Sequence, residues 1–406
     1  MKRITLSAVA VLTLLPNVLC AEGFTLFSDA KFNGEIRPRY ESVDDQSNTK
    51  DKANAFTVRA TLGVEANLLG INGLSMKVDG TTVQPIGGER YDSGSNGLMY
   101  DKVVDPEQTR FSQAYLQYKY GKTVAKAGRQ VINLDNQRFI GSVDWRQMMQ
   151  SFDAAVISDS TIDNLTLTGA YIWGRAAVSD APTADTNSIV LNGSYKVSDM
   201  LKVTAYDYMI SSASDTIGMA LTGDVPLASA KIAYRAEYAS QGDASRDTDN
   251  AHKNVKADAY YYNLDALANI NGILAGVGYE FLSGHTAGDG KTAFFAPLGT
   301  LHAFNGWADK FLAATPTGGL CDASATLGYT APGLGKAMVV YHDFTTDVSM
   351  GGKSDLGTEW DALYTNAIPG VKGLSGLAKA AFFKAGDVAG YTADVSKIWL
   401  QVSYKF

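Results

Sequence analysis

Phe56–Leu68 reads FTVRATLGVEANL, and its phase decides the fold. Successive side chains of a strand point to opposite faces. Phe56, Val58, Ala60, Leu62, Val64, Ala66 and Leu68 therefore share one face, opposite Thr57, Arg59, Thr61, Glu65 and Asn67. One face is unbroken apolar surface and the other carries charge in mid-strand. A dry sheet-on-sheet core could not hold Arg59 and Glu65 unpaired. Water on the charged side and lipid on the apolar side can.

The pattern extends in both directions. Upstream, Phe32, Gly34, Ile36, Pro38 and Tyr40 alternate with Asn33, Glu35, Arg37, Arg39 and Glu41. Downstream, Leu74, Met76 and Val78 follow a tight turn near Gly70–Gly73. The same dyad returns in Ala114–Tyr120, Leu165–Trp173, Ile189–Tyr195 and Ile232–Tyr238, and the chain ends in Ile398, Leu400, Val402, Tyr404 and Phe406. Tyrosine and tryptophan recur near the ends of the apolar faces, where a membrane–water interface favours them. Segments of roughly ten residues, apolar on one side and polar on the other, are the signature of a transmembrane antiparallel β-barrel.

The connections count the strands. Long ones lie near 43–54, 85–108, 134–150, 176–186, 242–255, 284–321, 345–357 and 385–395, with a ninth, short one near 211–215. Eight tight turns separate them, near 70–73, 120–122, 159–164, 197–200, 223–228, 269–272, 331–336 and 368–373. This gives about 18 strands, or 16 if the weakly alternating Leu201–Met209 and Leu377–Phe383 are discounted. Short turns belong in the periplasm and long loops outside the cell. A barrel of that size encloses water rather than a packed core.

Composition agrees. Gly (40) and Tyr (21) are abundant, Pro (10) is scarce, and no later segment offers the run of about 18 apolar residues that a spanning helix needs. Residues 1–21 read as a secretory signal peptide: basic Lys2 and Arg3, an apolar run Ile4–Leu19, then small residues. Leu19 before Cys20 is not the small residue that a lipoprotein signal wants. Residues 22–406 are then a single barrel domain in the bacterial outer membrane, in contact with lipid. Its 33 basic residues against 42 acidic ones argue against a nucleic-acid partner.

Gly128–Ile157 stands apart from the strands, with Arg129, Arg138 and Arg146 recurring beside Asp135, Asp144 and Asp153. It reads as an ordered loop. Arg138 and Arg146 are expected to pin it through Asp135, Asp144 or Asp153, while Arg129, where a strand reaches the outer mouth, is expected to face the pore. Arg37, Arg39, Arg59, Lys119, Arg235, Glu35 and Glu65 join it by phase as pore-lining residues, and planar arginine forks suit carboxylates and polar solutes. His302–Phe311 (HAFNGWADKF), in the longest loop, is expected to narrow or plug the mouth. Asp243–Asn250 (DASRDTDN) carries oxygen ligands but lacks the spacing of a calcium loop. No Cys–His metal spacing appears, and no cofactor is called for. Only four histidines exist, His252, His285, His302 and His342; His342 is expected to point inward beside Met338 and Val340, with no obvious partner serine for a hydrolase.

Three blocks resemble the alginate-export family of outer-membrane barrels: GRQVINLDNQRFIGSVDWRQ (Gly128–Gln147), GYEFLSG (Gly278–Gly284), and PLGTLHAFNGWADKFL (Pro297–Leu312) with the following TPTGGL. The resemblance implies a barrel of about 18 strands, monomeric although the residues leave a trimer open, with a polar lumen and passive transfer of polar solutes. Alginate-exporting members line the lumen heavily with arginine. Here the inward residues mix Arg37, Arg39, Arg59, Lys119 and Arg235 with Glu35, Glu65, Asp79, Glu237, Glu359 and Asp361. The expected function is a porin for small hydrophilic or anionic solutes, not an enzyme. The alternative is a structural or adhesive surface barrel whose lumen is plugged.

Overall fold

Eighteen antiparallel strands close on themselves in chain order. The computed structural model describes residues 20–21, 24–246 and 256–406. Most of the expected leader, the end of the DASRDTDN loop and His252 lie outside them. The strands are β1 (Phe27–Asp45), β2 (Ala53–Leu68), β3 (Leu74–Pro85), β4 (Gln108–Tyr120), β5 (Thr123–Gln130) and β6 (Ser151–Asp159). They continue as β7 (Leu165–Ala176), β8 (Ala184–Ser198), β9 (Leu201–Ile210), β10 (Ser214–Leu227), β11 (Ala230–Gly242) and β12 (Ala259–Ile270). The circuit ends with β13 (Ile273–Leu282), β14 (Leu320–Ala331), β15 (Gly335–Met350), β16 (Lys353–Ala367), β17 (Leu374–Ala385) and β18 (Val395–Lys405). Closure removes every sheet edge, which a hydrocarbon environment demands because no water is there to satisfy free backbone groups.

The seam joins β18 to β1, from Val395 opposite Asp45 to Lys405 opposite Glu35. It is finished by Phe406, whose backbone exchanges two hydrogen bonds with Gly34. The Phe406 ring lies so close over Gly34 that a Cβ there would come within 2.4 Å of it. A larger residue at 34 would have to displace the Phe406 ring from this crossing.

The outer face is as the alternation predicts. Phe32, Ile36, Phe56 and Leu62 on β1 and β2, and Leu191, Ile217, Val277 and Leu327 further round, are exposed on the barrel exterior. Tyr171, Trp173, Tyr238 and Tyr260 ring the extracellular side, and Tyr118, Tyr195, Tyr329, Tyr364 and Tyr404 the periplasmic side. These are the two aromatic girdles that amphipathic rings form at membrane interfaces.

One expected loop is absent. The stretch 345–357 is a continuation of β15 and β16, joined by the two-residue turn Gly351–Gly352 with Met350 opposite Lys353. Both glycines have positive φ (63° and 81°), the conformation that matches a tight turn to strand twist. The hairpin extends past the lipid, so it has no apolar face for the sequence to reveal.

Candidate functional site

Two loops fold inward: 131–150 between β5 and β6, and 283–319 between β13 and β14. Phe139, Ile140, Leu298 and Phe311 from these loops pack with inward side chains of the wall, including Tyr206, Tyr208, Tyr261, Phe344, Phe383 and Trp399, in one buried cluster. The loops are also zipped to each other. Gly141 N–H donates to Leu298 O (3.0 Å), Thr300 N–H to Gln137 O (2.9 Å), and Gln150 Nε2 reaches Gly141 O and Leu298 O. The expectation that 302–311 narrows the mouth thus has a geometric counterpart.

Charge on the wall holds the first loop in place. Arg37 donates to Gln147 Oε1 (3.1 Å) and to the carbonyl oxygens of Asp144 (3.0 Å) and Arg146. Arg39 reaches Trp145 O and Gln401 Oε1, and Arg59 bridges Glu35 to Asp144. Arg37 and Arg39 on β1 thus hold consecutive peptide carbonyls, 144 to 146, while Arg59 on β2 holds the Asp144 carboxylate. The Arg fork suits this because its five N–H groups are rigidly splayed.

The loop's own arginines choose partners other than those expected. Arg146 grips Glu41 through both terminal nitrogens (3.1 Å each) and Asp105 through Nε (3.2 Å). Arg138 pairs with Glu280 (2.7 Å) and reaches Asn305 (3.2 Å). Asp144 goes to Arg59 and Arg37, and Asp135 to Arg235 (2.8 Å) and Lys202 (3.8 Å). The segment crosses the lumen instead of folding on itself, so its charges meet wall residues distant in sequence.

Arg129 is placed differently again. It forms a two-pronged pair with Asp153 across β5 and β6 (2.8 Å twice) and bonds Thr183 (2.9 Å). Phe152 and Ala154, on either side of Asp153, are fully buried in the lumen cluster. Asp153, and Arg129 opposite it, therefore point away from the lumen, in phase with exposed Ala125 and Ala127. Glu65 and Lys119 stand exposed toward the periplasmic end, while Arg235 is paired with Glu237 and Asp135.

The second loop docks on β16 to β18. Glu359 accepts the Ala308 N–H (2.7 Å) and Asp361 the Trp307 N–H (3.1 Å). Gly306 (φ 79°) makes this approach; a Cβ on it would sit 2.5 Å from the Glu359 carboxylate. Lys379, which the sequence did not single out, is enclosed by Trp307 (3.7 Å), Trp145 (4.3 Å) and Trp399 (5.4 Å) and donates to His302 Nε2 (2.8 Å). Cation–ring attraction is strongest with Trp and when desolvated. His302 Nδ1 faces Asp309 (2.6 Å), which also takes Lys397 (2.7 Å).

This relay sets a pH response. Burial pushes His302 down to about 3, against the opposing pull of Asp309, so it is neutral with its proton on Nδ1. Burial also works against the Asp309 carboxylate, yet the His302 N–H and the Lys397 ammonium hold it well below the usual range. A free His has a pKa of about 6.5, so an undocked loop takes up the proton first. Docking is undiminished above about pH 6.5 and weakens as the pH falls toward 3. Loss of Asp309 ionisation acts in the same sense below about pH 3.8. Hydrogen exchange across 301–311, corrected for intrinsic rates, should rise at least ten-fold between pH 7 and 4.5, and His302→Gln should flatten that dependence. An unchanged slope in the variant would remove His302 from the latch.

The family described as alginate export matches residues 25–267. Among curated proteins no match is found. Several solved structures share the fold. Pseudomonas aeruginosa OccK8 (OprE) is 16% identical with a TM-score of 0.72, covering 94% of this chain and 99% of that one. P. aeruginosa OccK1 (OpdK) is 12% identical with a TM-score of 0.73 and the same coverage. Acinetobacter baumannii OccAB4 is 14% identical with a TM-score of 0.70, covering 94% and 98%.

Proposed function

The chain belongs to the alginate export family, and from its closed outer-membrane barrel we propose that it is a passive channel for small hydrophilic and anionic solutes. We take it to act as one barrel domain following a cleaved leader. One observation carries the reading: the inner wall is wet at one end and narrowed at the other. Toward the periplasm, Glu65, Lys119 and Asp265 stand exposed on the inner face. Toward the outside, inward residues such as Arg37, Arg59, Glu237 and Glu359 are buried beneath the two loops. A vestibule leading to a charged constriction is how a channel replaces part of a solute's water shell with fixed groups. In keeping with this, OpdK has been solved with vanillate, a small organic anion.

The loop packing also favours the alternative, a plugged surface barrel, since the same core could seal the lumen. Proteoliposome swelling tells them apart. Vesicles carrying the folded protein should swell in isotonic arabinose and in small carboxylates but not in stachyose. Swelling no faster than in protein-free vesicles would support the plug.

A further inference from the structure

The arginines that reach the lumen divide into two groups. Arg37, Arg39, Arg59, Arg138, Arg146 and Arg235 each lie within 4.0 Å of a carboxylate. Arg110 on β4 and Arg175 on β7 have no such partner among the described residues. Arg110 spends one terminal nitrogen on two carbonyls, Met149 O (2.7 Å) and Ala177 O (2.6 Å), and its Nε is buried without a partner. Arg175 donates only from Nε, to Gln150 Oε1 (2.7 Å), which leaves both ends of its fork unused. Both side chains contact the inward loop, Arg110 at Met149 and Arg175 at Gln150.

A paired arginine presents little net charge to a passing ion; an unpaired one presents a full positive charge. Near low-dielectric walls such a charge raises the local concentration of anions. Arg175 also lines a cavity of about 400 Å³ between the wall and the long loop, together with Arg138, Asn305, Thr315, Phe311 and Asp309, whose carboxylate is already held by His302 and Lys397. A free guanidinium edge offers two parallel N–H donors, the geometry that a carboxylate accepts in bidentate form. We propose that Arg175 is the direct contact for a small carboxylate in transit, and that Arg110 adds a second unpaired positive charge to the wall. This deepens the channel reading and rests on it for the word transit. It also moves selectivity away from Arg129, which is paired and points outward.

The test uses the full protein in planar bilayers, with acetate as the probe. Under a KCl gradient the wild type should be anion-selective. Arg175→Gln should shift the reversal potential toward cations, more at 0.1 M than at 1 M salt, because screening shortens from about 10 Å to about 3 Å. Arg110→Gln should shift it less, and Arg129→Gln not at all. Arg175→Lys should keep the reversal potential but weaken acetate inhibition of the chloride current about ten-fold, as the fork is lost. Heat-modifiable mobility on gels checks that each variant is folded. Should the wild type carry no current, the channel reading falls, and saturation-transfer NMR of acetate on the detergent-folded protein still decides this site. Transfer lost in Arg175→Gln but kept in Arg129→Gln supports it. An Arg175→Gln channel with the wild-type reversal potential, or acetate transfer indifferent to Arg175, overturns it.

Discussion

Arg146→Glu is expected to release the constriction loop while leaving the barrel closed. Arg146 is buried with its fork on Glu41 and its Nε on Asp105. Burial alone would weaken its charge, but the two carboxylates more than offset this and keep it firmly protonated. Removing one partner of a buried pair typically costs about 3–5 kcal/mol, because the other charge is left buried and unpaired. Here reversal would place three carboxylates together. None of the strand ladders involves this side chain, so the loss falls on loop docking. Single-channel records should become noisier, with larger excursions, and 131–150 should become open to protease. The charge-swapped Glu41→Arg, Arg146→Glu protein should recover part of the quiet behaviour. Quiet current and full protease resistance in the single variant would mean that the carbonyl contacts of Arg37 and Arg39 hold the loop by themselves.

Leu62→Arg should be the most damaging change on the wall. Leu62 lies near the middle of β2, opposite Gly34 and Gly80, and its side chain is exposed on the outer face. An arginine at the bilayer mid-plane costs about 2–4 kcal/mol. Thr61, one residue earlier, faces inward, where its hydroxyl meets that of Thr81 (3.0 Å). Thr61→Arg enters the polar lumen and should cost far less. Urea titration of the two proteins in lipid vesicles compares them directly. Equal destabilisation would mean that the faces of β2 are wrongly assigned.

Much of this architecture is visible in the chain because a lipid-facing wall imposes a strict period of two. Phe56–Leu68 shows both faces at once, and turn spacing then gives 18 strands. The reading fails where lipid no longer does the sorting. The β15–β16 hairpin continues past the membrane through Thr345–Gly357 without an apolar face, so it looks like a loop. Around Arg129 the sequence is AKAGRQ, and alanine and glycine mark neither face strongly. Only the burial of Phe152 and Ala154 shows which way Asp153, and hence Arg129, points.

The site was legible as a set of residues but not as a set of pairs. Phase alone puts Arg37, Arg39, Arg59, Glu35 and Glu359 on the inner wall. It cannot say that Arg37 and Arg39 hold peptide carbonyls, or that Arg146 meets Glu41 some hundred residues away. Such contacts depend on where a loop crosses the lumen, and no local rule governs that. Lys379 escaped notice for a related reason: its cage takes one Trp from each inward loop and one from β18. Arg110 and Arg175 are distinguished only by the lack of a carboxylate, and that is visible only once the other arginines have found theirs.

In the proposed channel, water runs through the barrel with both loops docked. Single-channel recording of the purified, folded wild type in a planar bilayer tests it most directly, at neutral pH in 1 M KCl. Discrete, ohmic conductance steps of uniform size, present without acid or denaturant, are the predicted result. A protein that inserts and remains heat-modifiable yet stays electrically silent at neutral pH would contradict it.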